Sequence, residues 1–276
     1  MADGAMNHGR RGEGQTALVT GASSGIGLEL ARCFAREGYN LAIVSRSAEA
    51  LDAAAKSLTG ETGAKVVPVA HDLSQQGAGT RLAETLSGRG IGIDVLVNNA
   101  GFGAAGAFET SKLEDQLGMV DVNVRALVEL THLFWSAMLK NKRGGVLNVS
   151  STAAFQPGPN FAVYSATKAF VLSFTEALWE EARGTGVHVS CLCPGATESA
   201  FHKRAGTENL PLMRGGMMTA ARAAELGYRA FQANRRVKIT GMGNTILANS
   251  AAYTPRAIVL RVSRLLLTPP ERSKGA

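Results

Sequence analysis

The sequence predicts an α/β fold: a doubly wound, seven-stranded parallel sheet with helices on both faces. Short aliphatic runs alternate with segments of helical spacing along most of the 276 residues, which is typical of a parallel sheet covered on both sides. The hydrophobic content of 45% is ample for one large core. No linker or break in composition divides the chain, so we expect residues 15–276 to form a single domain.

The individual elements follow from the spacing of apolar residues. The predicted strands are residues 16–20, 40–45, 65–70, 94–98, 145–149, 187–193 and 237–240. The predicted helices are residues 26–37, 48–58, 76–86, 113–141, 164–183 and 220–234. Glycines stand where helices usually stop, at Gly38, Gly60, Gly88, Gly144 and Gly184.

Three segments lie outside this pattern. Residues 1–14, with four glycines and no apolar stretch, are expected to be a flexible N-terminal tail. Residues 199–219 combine phenylalanine, leucines and methionines with glycines, and we interpret them either as a lid over the substrate or as a packed loop. Residues 244–270 are expected to be an apolar and basic helical extension. Part of it, residues 255–267, could pack within the chain, dock on another subunit or associate weakly with a membrane.

Composition limits the partners. The net charge of +7 and the pI near 9.6 admit anionic partners, but the basic residues are scattered and form no helix-turn-helix pattern. We therefore expect a phosphate-rich cofactor and no nucleic acid. Cys33, Cys191 and Cys193 are interpreted as reduced core thiols, which fits a cytoplasmic location, and no ligand pattern predicts a metal site.

A glycine-rich loop follows the first predicted strand and opens the first predicted helix. Glycines at Gly21, Gly25 and Gly27 allow positive φ and a close approach of the backbone to a pyrophosphate. The free N–H groups of Ser23, Ser24 and Ile26 lie at the helix start, whose dipole favours an anion. A turn without a ligand is the alternative, but the position at the first strand-to-helix junction favours a cofactor site.

The end of the second strand bears on the choice of cofactor. A carboxylate about twenty residues beyond the loop would bind the ribose hydroxyls of NAD, and this chain has Ser45 and Arg46 there instead. A hydroxyl followed by a guanidinium suits a 2′-phosphate, so we expect NADP(H) in preference to NAD(H). Alternatively, Arg46 is simply solvated.

Tyr164 and Lys168 are the candidate reactive pair. Four residues apart on a helix, they share one face, and a nearby ammonium is expected to lower the pKa of the phenol. Ser151 lies thirteen residues upstream, at the carboxyl end of a predicted buried strand, where ligands of open parallel sheets bind. The alternative for the pair alone is an exposed amphipathic helix.

Taken together, these motifs resemble the short-chain dehydrogenase/reductase superfamily over about residues 15–245. The shared features are the T-G-x3-G-x-G loop, the run Asn98-Asn99-Ala100-Gly101, the Tyr-x3-Lys pair with its upstream serine, and Pro194-Gly195. The chain looks most like the broad-specificity bacterial, NADP-preferring branch of single-domain members. The resemblance implies a Rossmann-type sheet with the cofactor across its carboxyl edge.

The resemblance also implies roles for individual residues. Asp72, with Leu73 beside it, would contact the adenine, while Asn98, Ala100 and Gly101 would line the site near the adenosine ribose. Around the nicotinamide carboxamide it places Pro194, Gly195, Thr197 and Ser199. Tyr164 would be the acid/base, Ser151 would donate a hydrogen bond to the substrate oxygen, and Lys168 would bind the nicotinamide ribose.

Asn123 would hold a water in a proton relay behind the lysine, with a polar bystander or a helix kink as the alternative. Of the histidines, we expect only His202 to lie where it could reach a substrate.

The expected activity is hydride transfer between NADP(H) and a hydrophobic ketone, aldehyde or secondary alcohol. A protein that senses NADP without catalysis, or one whose main role is interaction at a membrane, is the alternative. The resemblance further implies a homodimer or homotetramer.

Overall fold

The computed structural model describes residues 11–208, 210–211 and 216–268, in which seven strands form one parallel sheet. The strands are β1 Thr16–Thr20, β2 Asn40–Ser45, β3 Val66–Ala70, β4 Val95–Asn98, β5 Gly145–Val149, β6 His188–Cys193 and β7 Val237–Ile239. Their order across the sheet is β3-β2-β1-β4-β5-β6-β7. The predicted doubly wound, Rossmann-type fold is confirmed.

Ten α-helices surround this sheet in the described part of the chain. They are α1 Gly25–Arg36, α2 Ala48–Thr62, α3 Ala78–Gly88, α4 Leu113–Val120, α5 Ala126–Asn141, α6 Ala162–Glu181, α7 Ala200–Ala205, α8 Ala220–Gln232, α9 Met242–Tyr253 and α10 Arg256–Leu267. Helices α1, α2 and α8 pack on one face, and α3, α5 and α6 pack on the other.

Successive strand residues point to opposite faces of the sheet, so every central strand is buried on both sides. In β1, Val19 packs beneath α1 with Phe34, whereas its neighbour Leu18 belongs to the core beneath α3 with Leu82. Chain order reverses between β1 and the central strand β4, because the crossovers run outward in both directions from there. A crevice for ligands is expected at the carboxyl ends of these strands.

The predicted helix ends agree with the observed ones to within two residues, with two exceptions. The segment 113–141 is divided by a π-helical turn, Asp121–Arg125, that contains Asn123. Helix α2 does not stop at Gly60 but continues to Thr62, because a glycine is tolerated inside a helix, and it ends at Gly63 with φ +71°.

The flanking segments are partly described. Gly12 is buried, and its N–H donates to Glu37 O at 2.9 Å, so the end of the predicted tail is attached to the body, whereas residues 1–10 lie outside the described residues. The extension 244–270 is two helices, α9 and α10, separated at Pro255, which cannot continue a hydrogen-bonded helix. Residues 269–270 are outside the described part. None of the described helices is both long and apolar enough to cross a membrane.

Candidate active site

A cleft of about 770 Å³ lies at the carboxyl edge of the sheet. The glycine-rich loop after β1 forms one end of it, and Ser151, Tyr164 and Lys168 line the other. All these groups meet because parallel strands deliver the loops that follow them to the same edge. The cleft therefore joins the predicted cofactor loop to the predicted reactive pair.

The glycine-rich loop has a conformation that its glycines make possible. Gly21 and Gly25 have φ values of +67° and +58°. A Cβ on Gly27 would lie 2.3 Å from Gly21 O, so the first turn of α1 packs on the loop without room for a side chain. Asn99 fixes the start of the loop, since its Nδ2 donates to Thr20 O at 2.9 Å and to Gly21 O at 3.2 Å. Of the remaining predicted loop residues, the cleft is lined by Ser23, Ser24 and Ile26.

The end of β2 suits a phosphate. The Oγ of Ser45 is buried and has no hydrogen-bond partner within the described residues, and Arg46 lines the cleft beside it. Because an unpaired buried hydroxyl is costly, a ligand oxygen at this position would satisfy it. The arginine would add a charge-assisted hydrogen bond to an anion. These residues fit a cofactor that carries a 2′-phosphate.

Asp72 and Leu73 lie on the same side of the cleft, after β3. The carboxylate of Asp72 accepts hydrogen bonds from the backbone and the hydroxyl of Ser74, at 3.0 and 2.9 Å. Partial burial opposes its ionisation, but these bonds outweigh burial and keep the pKa of Asp72 below its ordinary value. The carboxylate is thus ionised and oriented at neutral pH.

Asn98 does not line the cleft, contrary to the expectation from the resemblance. Its side chain is buried under the sheet, where its Nδ2 donates to Asn148 Oδ1 at 2.9 Å and to Thr131 Oγ1 at 3.1 Å. Side chains alternate along a strand, so the next residue, Asn99, is the one that reaches the cleft. Ala100 and Gly101 line the cleft as expected.

The residues expected around the nicotinamide carboxamide all line the cleft: Pro194, Gly195, Thr197 and Ser199. Thr197 Oγ1 donates to Gly195 O at 3.0 Å, which folds this segment back on itself. A Cβ on Gly195 would lie 2.2 Å from the side-chain nitrogen of Asn244 in α9. The C-terminal extension therefore supports this end of the cleft.

The reactive pair lies on the buried face of α6. Tyr164 is 6% exposed, and it lines the cleft together with Ser151, which follows β5. Lys168 is 5% exposed, and its Nζ donates to Val149 O at 2.9 Å. The Nζ is 5.8 Å from the centre of the Tyr164 ring. The amphipathic-surface interpretation of the pair does not hold, because both side chains are buried at the cleft wall.

Burial decides the protonation of both groups. Burial raises the pKa of Tyr164 to about 12, although the Ser151 hydroxyl acts in the opposite direction. Burial also lowers the pKa of Lys168 to about 8. The expected lowering of the phenol pKa is therefore not found, because desolvation is the largest contribution and outweighs that of Ser151. At neutral pH the phenol is protonated and the lysine is charged.

Ser150 and Ser151 have different partners. The Oγ of Ser150 is buried and donates to Lys168 O at 2.7 Å, which ties β5 to α6. Ser151 is in extended conformation at the strand end, and its Oγ accepts from Ala153 N at 3.1 Å while it also contacts Tyr164. The structure thus places Ser151 beside the phenol, as its spacing from the tyrosine predicts.

Asn123 lies in the π-helical turn and makes three hydrogen bonds. Its Oδ1 accepts from Phe102 N at 3.1 Å, and its Nδ2 donates to Phe102 O and to Thr167 Oγ1, each at 3.0 Å. Both N–H groups of the Asn123 side chain are therefore used in hydrogen bonds that link the loop after β4 to α6. A water relay at this position would have to use the backbone or the remaining lone pair of Asn123.

Two of the histidines, His71 and His202, line the cleft. The Nδ1 of His202 bonds Thr207 Oγ1 at 3.0 Å, its Nε2 accepts from Thr197 N at 3.4 Å, and burial lowers its pKa. Both ring nitrogens are engaged, so His202 organises the segment after β6. His71 and His188 bond backbone carbonyls, and His132 is exposed.

The described part of segment 199–219 packs against the body. Met218 pairs with Thr197 in a β-bridge, and the N–H of Ala105 donates to Ala205 O at 3.0 Å. Phe201, Arg204, Thr207 and Leu210 line the cleft. The described residues of this segment therefore pack over the site, while Leu212 and Met213 lie outside the described residues.

An aromatic wall around Tyr164 was not predicted from the sequence. The ring centres of Phe161 and Phe201 lie 4.4 and 5.4 Å from that of Tyr164. Further apolar lining comes from Phe102, Leu210, Leu247, Leu266 and Leu267. Phe161 directly precedes α6, so its proximity to the tyrosine could have been inferred from helical geometry. The other lining residues come from elements far from Tyr164 in sequence, and no sequence pattern near the tyrosine predicts them.

No cluster of three or more potential metal ligands occurs in the described residues.

Comparison with known proteins identifies the family. The model of the short chain dehydrogenase family matches residues 15–210, and the chain therefore belongs to this family. The 17-beta-hydroxysteroid dehydrogenase type 3 of Mus musculus is 36% identical over 196 residues, which are 70% of this chain and 63% of the relative. Matched regions cover 61 to 63% of several curated relatives, so this chain matches about three fifths of their length.

Solved structures match over nearly the whole chain. A short-chain dehydrogenase from Sphingobium yanoikuyae in complex with NADPH has a TM-score of 0.77 and 28% identity, with 95% of this chain and 98% of that chain covered. A bulky-bulky ketone specific alcohol dehydrogenase from Comamonas testosteroni has a TM-score of 0.73 and 28% identity, with 95% and 96% covered. These similarities support a nicotinamide cofactor in the cleft.

Proposed function

We propose that the protein is an NADP(H)-dependent oxidoreductase that transfers a hydride between the cofactor and a hydrophobic ketone, aldehyde or secondary alcohol. The observation that carries the proposal is the buried Tyr164, which lines the cleft beside Ser151 and lies one helical turn from Lys168. A protonated phenol beside a second hydroxyl is suited to protonating a carbonyl oxygen as the carbon is reduced.

The chain's own residues account for the proton and charge steps. A bound nicotinamide would supply the hydride, or accept it in the reverse reaction. Tyr164 donates its proton to the carbonyl oxygen, where Ser151 donates a hydrogen bond to the developing charge. Lys168, charged at neutral pH, stabilises the phenolate that remains. In alcohol oxidation, the phenolate removes the proton instead.

The preference for NADP(H) rests on the end of β2. The unpartnered hydroxyl of Ser45, the guanidinium of Arg46 and the lack of a carboxylate at this strand end favour a cofactor with a 2′-phosphate. The NADPH in the Sphingobium relative agrees with this choice. The remaining contacts are assigned to the loop from Gly21 to Gly27, to Asp72 and Leu73, to Ala100 and Gly101, and to the segment from Pro194 to Ser199.

The substrate class follows from the aromatic wall. Phe161 and Phe201 flank the phenol, and leucines of α9 and α10 also line the cleft. A large apolar group of a substrate would displace water from this apolar surface. Glu114 and Arg204 are charged lining residues of the same cleft. Two proteins similar to this chain, the bulky-bulky ketone specific alcohol dehydrogenase and the 17-beta-hydroxysteroid dehydrogenase type 3, support the same substrate class.

A substrate panel tests the proposal. Purified protein is mixed with NADPH or NADH and with aliphatic, aryl and polycyclic ketones, and loss of the reduced cofactor is followed. We expect turnover of bulky apolar ketones with NADPH. Binding of NADPH without turnover of any ketone or alcohol would instead support a non-catalytic cofactor sensor.

We further propose that the protein is a homodimer or homotetramer in the cytoplasm. Large apolar side chains of α4, α5 and α6 are exposed in the single chain, among them Leu117, Leu133 and Phe170. A two-fold interface would bury them. The three cysteines form no disulfide, which fits a reducing compartment.

A further inference from the structure

Helix α10 is apolar on its outer side as well as on its inner side. Val259 and Ser263 are buried, and this inner side extends to the cleft. Ile258, Val262 and Leu265 follow one another at i, i+4 and i+7 and form one stripe on the outer surface, which we call the outer stripe. Their exposed fractions are 50%, 45% and 74%.

The same helix is basic. Arg256, Arg261 and Arg264 are exposed, and neither α9 nor α10 contains an aspartate or a glutamate. Ion pairs among the described residues involve none of these three arginines. Arg261 and Arg264 also border a small surface cleft together with Asn160 and Thr268. Within the described part of the chain, the outer stripe thus lies beside arginines that form no ion pair.

The positive charge of α10 determines which partner its outer face can bind. A second copy of the chain docked symmetrically through α10 would bring arginines against arginines, since a two-fold interface pairs the same patch with itself. Like charges held together without counter-charges are unfavourable. A membrane surface of anionic lipid supplies negative headgroups for the arginines and an acyl boundary for the outer stripe.

We propose that the outer face of α10 docks on anionic lipid membranes. The outer stripe enters the boundary between headgroups and acyl chains, while Arg261 and Arg264 contact lipid phosphates. Because Leu266 and Leu267 of the same helix line the catalytic cleft, docking brings one wall of that cleft to the lipid surface. This inference does not depend on the proposed function, since lipid binding is measured without turnover.

Vesicle flotation with the full-length protein tests the proposal. Phosphatidylcholine vesicles with and without phosphatidylglycerol are compared, and we expect binding to the anionic vesicles that weakens as salt is raised. The double variant Arg261→Ala/Arg264→Ala should lower the partition coefficient about 25-fold, because each arginine near such a surface contributes about 1 kcal/mol. Ile258→Ser/Leu265→Ser should lower it more than about tenfold, through lost apolar burial.

The matched control is Arg89→Ala/Arg183→Ala, which removes the same charge from exposed positions elsewhere. It should leave vesicle binding within about twofold of the unmodified protein, since its arginines lie outside α10. Thermal unfolding of every variant verifies that it is folded. Absence of binding to anionic vesicles, or equal losses in the control and in the α10 variants, would overturn the proposal. A change of oligomeric mass in Ile258→Ser/Leu265→Ser without any vesicle binding by the unmodified protein would instead identify α10 as an interface between copies.

Discussion

At the scale of single residues, burial decides how the two titratable groups of the cleft behave. Tyr164 and Lys168 are close in sequence, and their shared helix face follows from the spacing of four. Their pKa values could not be predicted from that spacing, because desolvation depends on residues that fold over them from α7 and from the loop after β4. The free protein therefore holds a protonated phenol, which is the form that the proposed carbonyl reduction requires.

The lysine gives the reaction a basic limit. Burial lowers the pKa of Lys168 to about 8, so its charge is present below that pH and is lost above it. We expect kcat/KM for ketone reduction to fall above about pH 8, since this parameter reports groups of the free enzyme. In Lys168→Arg the charge persists, and the fall of the residual activity should move upward. A profile of the unmodified protein that stays flat to the ordinary lysine pKa of about 10 would contradict this account.

Arg46 should determine the preference for the phosphorylated cofactor. A charge-assisted hydrogen bond contributes about 1.5–3 kcal/mol, so Arg46→Ala should weaken NADPH binding by about 10- to 100-fold and leave NADH binding nearly unchanged. Fluorescence titration of both cofactors measures the two dissociation constants. Arg89→Ala serves as a charge-matched control. Equal weakening of NADPH and NADH would show that Arg46 does not contact a 2′-phosphate.

At the scale of elements, the periodicity of apolar residues predicted the strands and most helix starts. The interruption of the predicted helix 113–141 could not be predicted in this way, because it depends on contacts with residues far away in sequence. The π-helical turn contains Asn123, whose side chain hydrogen-bonds Phe102 and Thr167. Both partners lie far from Asn123 in sequence. Asn98 was wrongly expected to line the cleft, although strand alternation could have pointed to Asn99. The aromatic wall was missed because Phe161 and Phe201 come from separate elements.

Two glycines in helices should respond oppositely to alanine. A Cβ on Gly60, in α2, would meet nothing within 4 Å, so Gly60→Ala should stabilise the fold by about 0.5–1 kcal/mol. A Cβ on Gly27, in α1, would lie 2.3 Å from Gly21 O and from Asn99 Nδ2. Gly27→Ala should therefore destabilise the protein and weaken cofactor binding. Urea unfolding of both variants measures the difference; a destabilised Gly60→Ala would contradict the observed continuation of α2.

At the scale of the whole molecule, alternation of strands and helices was enough to predict the doubly wound sheet. Right-handed crossovers restrict the possible strand orders, and the structure has the order β3-β2-β1-β4-β5-β6-β7. The packing of α9 and α10 onto the cleft was not predictable from periodicity, since an apolar basic segment is compatible with several surfaces. That packing decides which residues close the substrate side.

The oligomer is tested by solution mass. Light scattering of the unmodified protein should give two or four times the chain mass of 28.8 kDa. Leu133→Glu/Phe170→Glu places charges on the exposed apolar faces of α5 and α6 and should yield monomers. Tyr253→Glu, a change at an exposed position of α9, should remain oligomeric. A monomeric unmodified protein would contradict the proposed assembly.

The most direct test of the proposed chemistry is the removal of one oxygen atom, in Tyr164→Phe. The ring still fills its place between Phe161 and Phe201, so NADPH binding and the unfolding temperature should be retained. Without the phenol there is no proton donor, and kcat/KM for ketone reduction should fall by a factor of about 100 to 10 000. Turnover by Tyr164→Phe at the rate of the unmodified protein would contradict the assignment of Tyr164 as the acid/base.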